Sequence, residues 1–394
     1  MQELEFENGN TKDNVVTGSC CGEKSASLSR PEIMRKACGQ IQKEDLPPWA
    51  MGTIPTAAGM VLRVSDEWSS ADYWGMIKSR VGAFRMNYAV KPGLYSIGEP
   101  TKDSDVFVSA NYKLSFDTLR RSLKGLSAWV LVLDTKGINV WCAAGKGTFG
   151  TDELIKRISE SKLDAVVSHR RIILPQLGAV GVSASAVRVK TGFRVSFGPV
   201  DAHDIQAYIR ANYKKTEEMS TVKFSMHDRL VLTPMEVIPA MKKFFWLSAV
   251  ILLIFGLQPS GILFAPAWFN SLPVLLLGLI AVFAGAFVTP VLLPYIPFRS
   301  FAIKGWIAGV LSVLLASRSL NMFEKSQTFM TIVSYLVFPA LSSYIALQFT
   351  GSTTFTSISG VKKELKIGIP IYIGAAGIFG VFLVVSKFKE WGIV

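Results

Sequence analysis

Five apolar stretches crowd the second half of this 394-residue chain, at roughly 244–257, 271–293, 301–316, 329–349 and 367–385. A helix that crosses a bilayer needs about 20 predominantly apolar residues, and several of these stretches reach that length. The first and third reach it only with their flanks. The pattern predicts an all-α bundle of five transmembrane helices. Charge placement agrees. From Met241 onward eleven Lys and Arg stand against Glu324, Glu364 and Glu390, nearly all of them between the stretches. With the N-terminus inside, Lys242, Lys243, Arg299, Lys304, Lys362, Lys363 and Lys366 fall on the cytoplasmic side. Arg318, Lys325, Lys387 and Lys389 fall outside, which is a modest positive-inside bias. No stretch carries a charge near its centre, as an ion-coupled transporter would usually need, so the bundle reads as an anchor or scaffold.

The rest divides by composition. Residues 1–50 are poor in apolar residues, mixing Gly, Ser, Lys and Glu, and read as a poorly ordered extension with one short helix near Pro31–Cys38. Residues 51–215 form an α/β domain, 216–241 a linker and 242–394 the five-helix bundle. The opening MQELEFENGN is acidic and polar and is no secretory signal, so the α/β domain is expected on the cytoplasmic face of a multi-pass inner-membrane protein. Four cysteines, Cys20, Cys21, Cys38 and Cys142, make no disulfide framework and suit a reducing compartment. Adjacent Cys20 and Cys21 either grip a thiophilic metal or are incidental to a tail. The net charge of +13 mostly reflects membrane flanks and argues against a nucleic-acid partner.

Between about 54 and 212, short β-rich runs alternate with amphipathic segments. The runs 106-VFVSA-110, 128-AWVLVLD-134 and 164-DAVVS-168 read as strands. The segments 115–126, 151–161 and 201–213 read as helices. This alternation predicts βαβ units and a mostly parallel, Rossmann-like sheet. Ligands of such sheets sit beyond the carboxyl ends of the strands, where Asn111 and Cys142 fall.

The stretch 139-NVWCAAGK-146 is the one that invites chemistry. It fails as a phosphate loop, because Val140 stands where the first glycine belongs and Gly147, not Ser or Thr, follows Lys146. Thr151 is placed to cap the next helix, with Asp152 and Glu153 in its first turn. Protein-only metal sites are not expected: the chain has three histidines (His169, His203 and His227) and no Cys-x-x-Cys pair. The run 201-DAHDIQ-206 begins like the Asp-x-His-x-x-Gly signature of a cobalamin axial histidine, but Gln206 replaces the glycine. His203 therefore reads as a surface helix start. Cys142 is either a small buried hydrophobe or an open thiol. Ala143, Ala144 and Gly145 leave its sulfur free to meet a large flat group, and Lys146 with nearby amides would favour the thiolate.

This octet resembles, at every position, the signature of the membrane-bound corrinoid protein of anaerobic mercury methylation. Further segments agree with it: 91-KPGLYSIGEP-100, 110-ANYKLSFDTLR-120, 174-LPQLGAVGV-182 and 198-GPVDAHDI-205. These also resemble the cobalamin-binding domain of the corrinoid iron–sulfur protein of the acetyl-CoA pathway. The membrane half, with its loop 350-TGSTTFTSISGVKKELK-366, is similar to the mercury family only.

The resemblance implies a cobalamin-binding domain tethered by the five helices, with Cys142 as the lower axial ligand of cobalt. Asn139, Val140, Trp141, Ala143, Ala144, Gly145 and Lys146 would form the capping segment under the corrin. It further implies a methyl transfer to Hg(II) giving methylmercury, a ferredoxin-like partner with two [4Fe–4S] clusters as electron donor, and a folate-type methyl donor. Ser109, Asn111, Gln176, Gly178 and Gly181 either contact the cofactor or serve ordinary turn chemistry. Two alternatives stand beside this reading. One is a corrinoid methyl carrier in acetyl-CoA-type one-carbon metabolism. The other is a membrane sensor or transporter with a nucleotide-binding domain.

Overall fold

The computed structural model describes residues 46–319, 328–353 and 355–393. Cys20, Cys21, Cys38 and the helix expected near Pro31–Cys38 lie outside the described residues. Pro48–Val394 form one compact unit.

Two fully buried runs make the centre of a seven-stranded sheet. These are β4 (Val106–Ala110) and β5 (Ala128–Leu133), paired in parallel with Val106 beside Trp129. Continuous apolar runs are what strands covered on both faces require. The sheet order is β1-β2-β3-β5-β4-β6-β7, where β1 is Ala50–Thr56, β2 Gly59–Val64, β3 Gly93–Ile97, β6 Arg171–Leu174 and β7 Arg194–Phe197. The block β5-β4-β6-β7 is parallel, whereas β3 runs antiparallel to β5 and β1 pairs with β2 as a hairpin. With β2 and β3 also parallel, four of the six pairings are parallel, so the sheet is mostly parallel as expected, with antiparallel pairings at β1–β2 and β3–β5. The hairpin escapes a search for βαβ alternation because its strands follow one another with no helix between.

Other expectations need correction. The run 164–168 is not a strand: Leu163–Val166 is a short helix, and the strand begins at Arg171. Thr151 does not cap the helix it opens. Gly150 is the N-cap residue, and Thr151 Oγ1 accepts from the Ser183 amide instead. The helix expected over 201–213 is confined to Ile205–Arg210, after a single 3₁₀ turn.

Helices cover both faces. In chain order they are α1 (Ser70–Val81), α2 (Lys113–Ser122), α3 (Val140–Lys146), α4 (Thr151–Glu160), α5 (Ala184–Thr191) and α6 (Ile205–Arg210). One apolar cluster under α3, α4 and α5 contains Leu131, Phe149 and Phe193. A second, on the opposite face, contains Tyr95, Phe116 and Tyr208. Between α1 and α2 lies a buried ionic knot. Lys113 Nζ meets Asp72 at 2.9 Å and Asp117 at 2.5 Å, and Arg120 meets Asp72 at 2.8 Å and Asp117 at 2.7 Å. Two cations and two carboxylates balance, which is the condition for keeping such charges out of water.

Among the described residues five helices are long and apolar enough to cross a membrane. They are α7 (Pro234–Gly256), α8 (Phe264–Phe283), α9 (Phe301–Ser319), α10 (Thr328–Gln348) and α11 (Ile358–Glu390). α8 continues through a π-helical turn, Ala284–Val288, where Thr289 Oγ1 donates to the Ala284 carbonyl at 2.8 Å. α9 and α10 pack backbone to backbone. A Cβ on Gly305 would stand 2.5 Å from Ala346 Cβ and 2.9 Å from Ser343 Cα. Ser342 Oγ donates to the Gly305 carbonyl at 2.8 Å. Small residues at helix contacts are the usual means of close association where lipid leaves little hydrophobic drive between helices.

The segment 216–241 is docked on the bundle. Phe224 is buried against Phe349 and Phe355, with φ at 43°. The Arg229 guanidinium, also buried, donates to the Val291 and Phe224 carbonyls.

Candidate functional site

The turn after β5 determines where α3 sits. Asn111 follows β4, and its side-chain oxygen accepts from the Thr135 amide (3.1 Å), the Thr135 hydroxyl (2.8 Å) and the Gly137 amide (2.9 Å). Its amide nitrogen donates to Asp134 Oδ1 at 3.3 Å. One buried side chain thus holds the whole turn 134–137 against the end of the neighbouring strand. Lys136 and Gly137 adopt φ values of 60° and 70°, the left-handed conformation that glycine takes without strain. Lys136 hydrogen-bonds the Asp134 carboxylate and holds it below the usual carboxylate range.

From this anchored turn the chain enters α3. Asn139 is the N-cap residue, and its Oδ1 accepts from the Cys142 amide at 2.9 Å. Gly147, at φ 80°, closes the helix by donating to the Ala144 carbonyl. Seven residues cannot hold a helix on propensity alone, so packing does it. Ala143 and Ala144 are buried against the sheet, while Trp141, Gly145 and Lys146 are exposed. Cys142 lies between these faces, half-buried, in no disulfide. Its sulfur makes no hydrogen bond among the described residues. Gly145, three positions on, faces open space, with nothing within 4 Å of where a Cβ would stand.

The loop after β6 closes the other side. A Cβ on Gly181 would come 2.2 Å from the Phe149 carbonyl and 3.2 Å from Ala144 Cα. One on Gly178 would come 2.5 Å from the Phe149 ring. The close approach these glycines permit is therefore between this loop and the end of α3. Ser109 is buried within β4, and Gln176 is held by Lys215 Nζ. The structure thus brings Asn111, Asn139–Lys146, Gly178 and Gly181 together at the carboxyl edge of the parallel block. Within that set, Asn111, Gly178 and Gly181 have their conformations accounted for by the chain itself.

Two contributors were not singled out from the sequence. Thr135 is fully buried and links Asn111 to the Ile138 carbonyl at 2.7 Å. Phe149 is fully buried and gives the Gly178 loop its floor. The DTKG turn was the available signal for the first. His203 lies on the surface, paired with Asp201 at 2.7 Å in its own turn. Among the described residues no group of three or more His, Cys, Asp or Glu could hold a metal ion.

This part of the chain is similar to known proteins. Residues 56–209 match the family described as CO dehydrogenase/acetyl-CoA synthase delta subunit. The acetyl-CoA decarbonylase/synthase complex subunit gamma of Archaeoglobus fulgidus is 32% identical over 130 residues, covering 32% of this chain and 27% of that one. The subunit of the same name from Methanocaldococcus jannaschii is 34% identical over 133 residues, covering 33% and 27%. The corrinoid/iron-sulfur protein large subunit of Moorella thermoacetica is 31% identical over 125 residues, covering 31% and 28%. The chain spans little more than a quarter of the length of these relatives. The homology covers the α/β domain and stops short of the five apolar helices.

Proposed function

We propose that the chain is a membrane-anchored corrinoid protein that takes up a methyl group on cobalt and passes it on, with the Cys142 thiolate as the lower axial ligand. The observation that carries this is the half-buried Cys142 on α3, inside residues 56–209, which match the CO dehydrogenase/acetyl-CoA synthase delta subunit family, while a corrinoid/iron-sulfur protein large subunit is among the relatives. The residues fit such a group. A corrin is broad and flat, and the open space at Gly145 leaves the sulfur approachable by a flat face.

When bound, the corrinoid supplies a cobalt centre that accepts and releases a methyl group. The protein's part is positional. Asn139 ties down the Cys142 amide, and Asn111, through Thr135 and Gly137, holds the turn that aims α3. Gly178 and Gly181 let the β6 loop brace the helix from behind. Trp141 walls the exposed side, and Lys146 adds positive charge one turn from the sulfur. Second-layer support of this kind orients a ligating side chain and tunes what it binds.

The acceptor we propose is Hg(II), giving methylmercury. Cys142 would hold the cobalt of a bound corrinoid through its sulfur, an electron-rich ligand, and the group would supply a methyl that an electrophile such as Hg(II) can accept. The resemblance of the octet NVWCAAGK and of the five-helix half to the mercury-methylation family supports this choice, and the acetyl-CoA synthase family match, residues 56–209, does not reach the bundle. A ferredoxin-like protein with two [4Fe–4S] clusters would supply electrons, and a folate-type carrier the methyl group. The relatives' names favour a second reading, a corrinoid methyl carrier serving acetyl-CoA synthesis.

The test uses the purified full chain loaded with cobalamin. The Cys142→Ala variant should lose the visible spectrum of sulfur-ligated cobalt; an unchanged spectrum removes the axial role. The methylated wild type should then give methylmercury from a thiol complex of Hg(II) much faster than free methylcobalamin. If the two rates are equal, the acceptor is not Hg(II) and the carrier reading stands. A Cys20→Ser, Cys21→Ser double variant should keep most of the activity.

A further inference from the structure

We propose that the end of the bundle nearest the α/β domain binds a phospholipid with a zwitterionic, ammonium-bearing headgroup. This rests on the bundle lying in a bilayer and is independent of the corrinoid reading.

A cavity of about 120 Å³ opens where α7, α8 and α10 meet. Phe244, Leu247 and Ile345 make its walls apolar, and Glu236 and Lys243 bring opposite charges to it. Seven positions apart, these two lie on one face of α7, about 10 Å apart along the helix axis. Neither side chain makes a hydrogen bond or an ion pair among the described residues. Arg85 is the cation within electrostatic reach of Glu236, but it points its guanidinium at Met235 Sδ, 3.8 Å away. Lys243 is exposed, but Glu236 is half-buried, and a half-buried charge without a hydrogen-bond partner beside an apolar crevice is unfavourable unless a ligand or water meets it.

The order of the charges selects the ligand. α7 runs away from the α/β domain, so Glu236 lies nearer the aqueous side and Lys243 deeper. A zwitterionic phospholipid presents the complementary order: ammonium outermost, phosphate below it and acyl chains beneath. The long lysine side chain leans toward the helix N-terminus, which carries its ammonium up to the phosphate level. The Gln348 carboxamide, at the domain-facing end of α10, adds a neutral donor and acceptor. Leu247 and Tyr344, 43% and 41% exposed, offer the apolar surface that acyl chains would cover. An anionic lipid would set its charge against Glu236, and a small soluble zwitterion would leave these walls bare.

The experiment uses the full chain, delipidated in detergent after recovery from the membrane fraction. Native mass spectrometry then follows binding of phosphatidylethanolamine and phosphatidylglycerol at equal concentration. Phosphatidylethanolamine should be retained preferentially. Glu236→Gln should lower its retention about tenfold and abolish the preference, and Lys243→Gln should weaken both lipids. Equal retention of the two lipids by the wild type, or a Glu236→Gln variant with the preference intact, overturns the assignment. Displacement of the lipid by millimolar free phosphoethanolamine also overturns it, because the site would then recognise a soluble headgroup. Recovery of the chain without detergent in the soluble fraction would refute the bilayer premise instead, and is read separately.

Discussion

The two halves of this molecule bury polar groups with different emphasis. In the α/β domain the most enclosed cations, Lys113 and Arg120, are matched by carboxylates on α1 and α2. In the bundle the enclosed cations turn mainly to backbone carbonyls, although Lys387 also pairs with Glu390 at 2.6 Å, just as Arg120 also reaches the Ser65 and Glu67 carbonyls. Lys304 caps the Leu293 carbonyl, and Lys387 meets Phe255 at 2.8 Å and Leu257 at 2.9 Å, near the end of α7. Cations at a helix C-terminus answer both the unpaired carbonyls and the helix dipole. The bundle has a core of Phe, Leu and Ile as the α/β domain does, but α9 and α10 meet at Gly305, Gly309 and serine hydroxyls. The lesson is that the α/β half relies on close charge pairing between α1 and α2, and the apolar half on the absence of side-chain bulk between α9 and α10.

The largest effect should come from breaking the ionic knot. Arg120→Met leaves Asp72 and Asp117 buried with Lys113 as their one remaining cation, a loss of about 3–5 kcal/mol. Hydrogen exchange should show α1 and α2 losing protection while α8 and α10 keep theirs. If the bundle loses protection equally, the two halves do not follow separate rules. Acid should act in the same place. Burial pushes the Asp72 carboxyl up, but hydrogen bonds from Lys113, the Ser69 amide and Arg120 outweigh it and hold the group well below the usual range. A depressed folded value means that its contribution is complete above the unfolded value near about 4 and is lost as pH falls below that. The α/β domain should therefore weaken from about pH 4 downward, and Asp72→Asn should flatten that dependence.

A smaller effect tests the other rule. Gly305→Val puts a branched side chain where even a Cβ would meet Ala346 at 2.5 Å, so α9 and α10 must separate. Overpacking of this kind costs about 1–3 kcal/mol. Unfolding in detergent should show the bundle less stable and the α/β domain unchanged. A bundle that tolerates valine at full stability would mean that its close packing contributes little.

The difference between the halves also explains what the sequence made legible. The bundle declares itself by length and hydropathy, and each of the five stretches corresponds to a helix, although 257 and 292–293 lie past the helix ends and α7 and α11 extend well beyond the apolar cores at 244–257 and 367–385. Those extensions carry charge and were invisible to an apolar count. β4 and β5 were readable because strands buried on both faces are apolar throughout. The β1–β2 hairpin and the strand at Arg171 were not, because one is half-exposed and the other opens on basic residues. At the site, the octet marked α3, and the topology brought Asn111 to it. The true use of Asn111 could not be read, because three donors converge on its oxygen from residues 24 and 26 positions away.

The smallest effect bears on the site itself. Asn139 closes one hydrogen bond, to the amide of Cys142, and losing an N-cap costs about 1 kcal/mol. Thermal stability of the whole domain should therefore change little in Asn139→Ala, since α3 is only seven residues long and rests on Ala143 and Ala144. The local consequence should be larger than the global one. Without the cap the first turn of α3 frays, and Cys142 lies in that turn. Alkylation of the Cys142 thiol by iodoacetamide should accelerate several-fold in Asn139→Ala and stay near wild type in Asn139→Asp, which keeps an acceptor oxygen. If both variants react at the wild-type rate, the packing of Ala143 and Ala144 alone holds the sulfur. The α/β domain would then follow, at this one helix, the small-residue rule of the bundle.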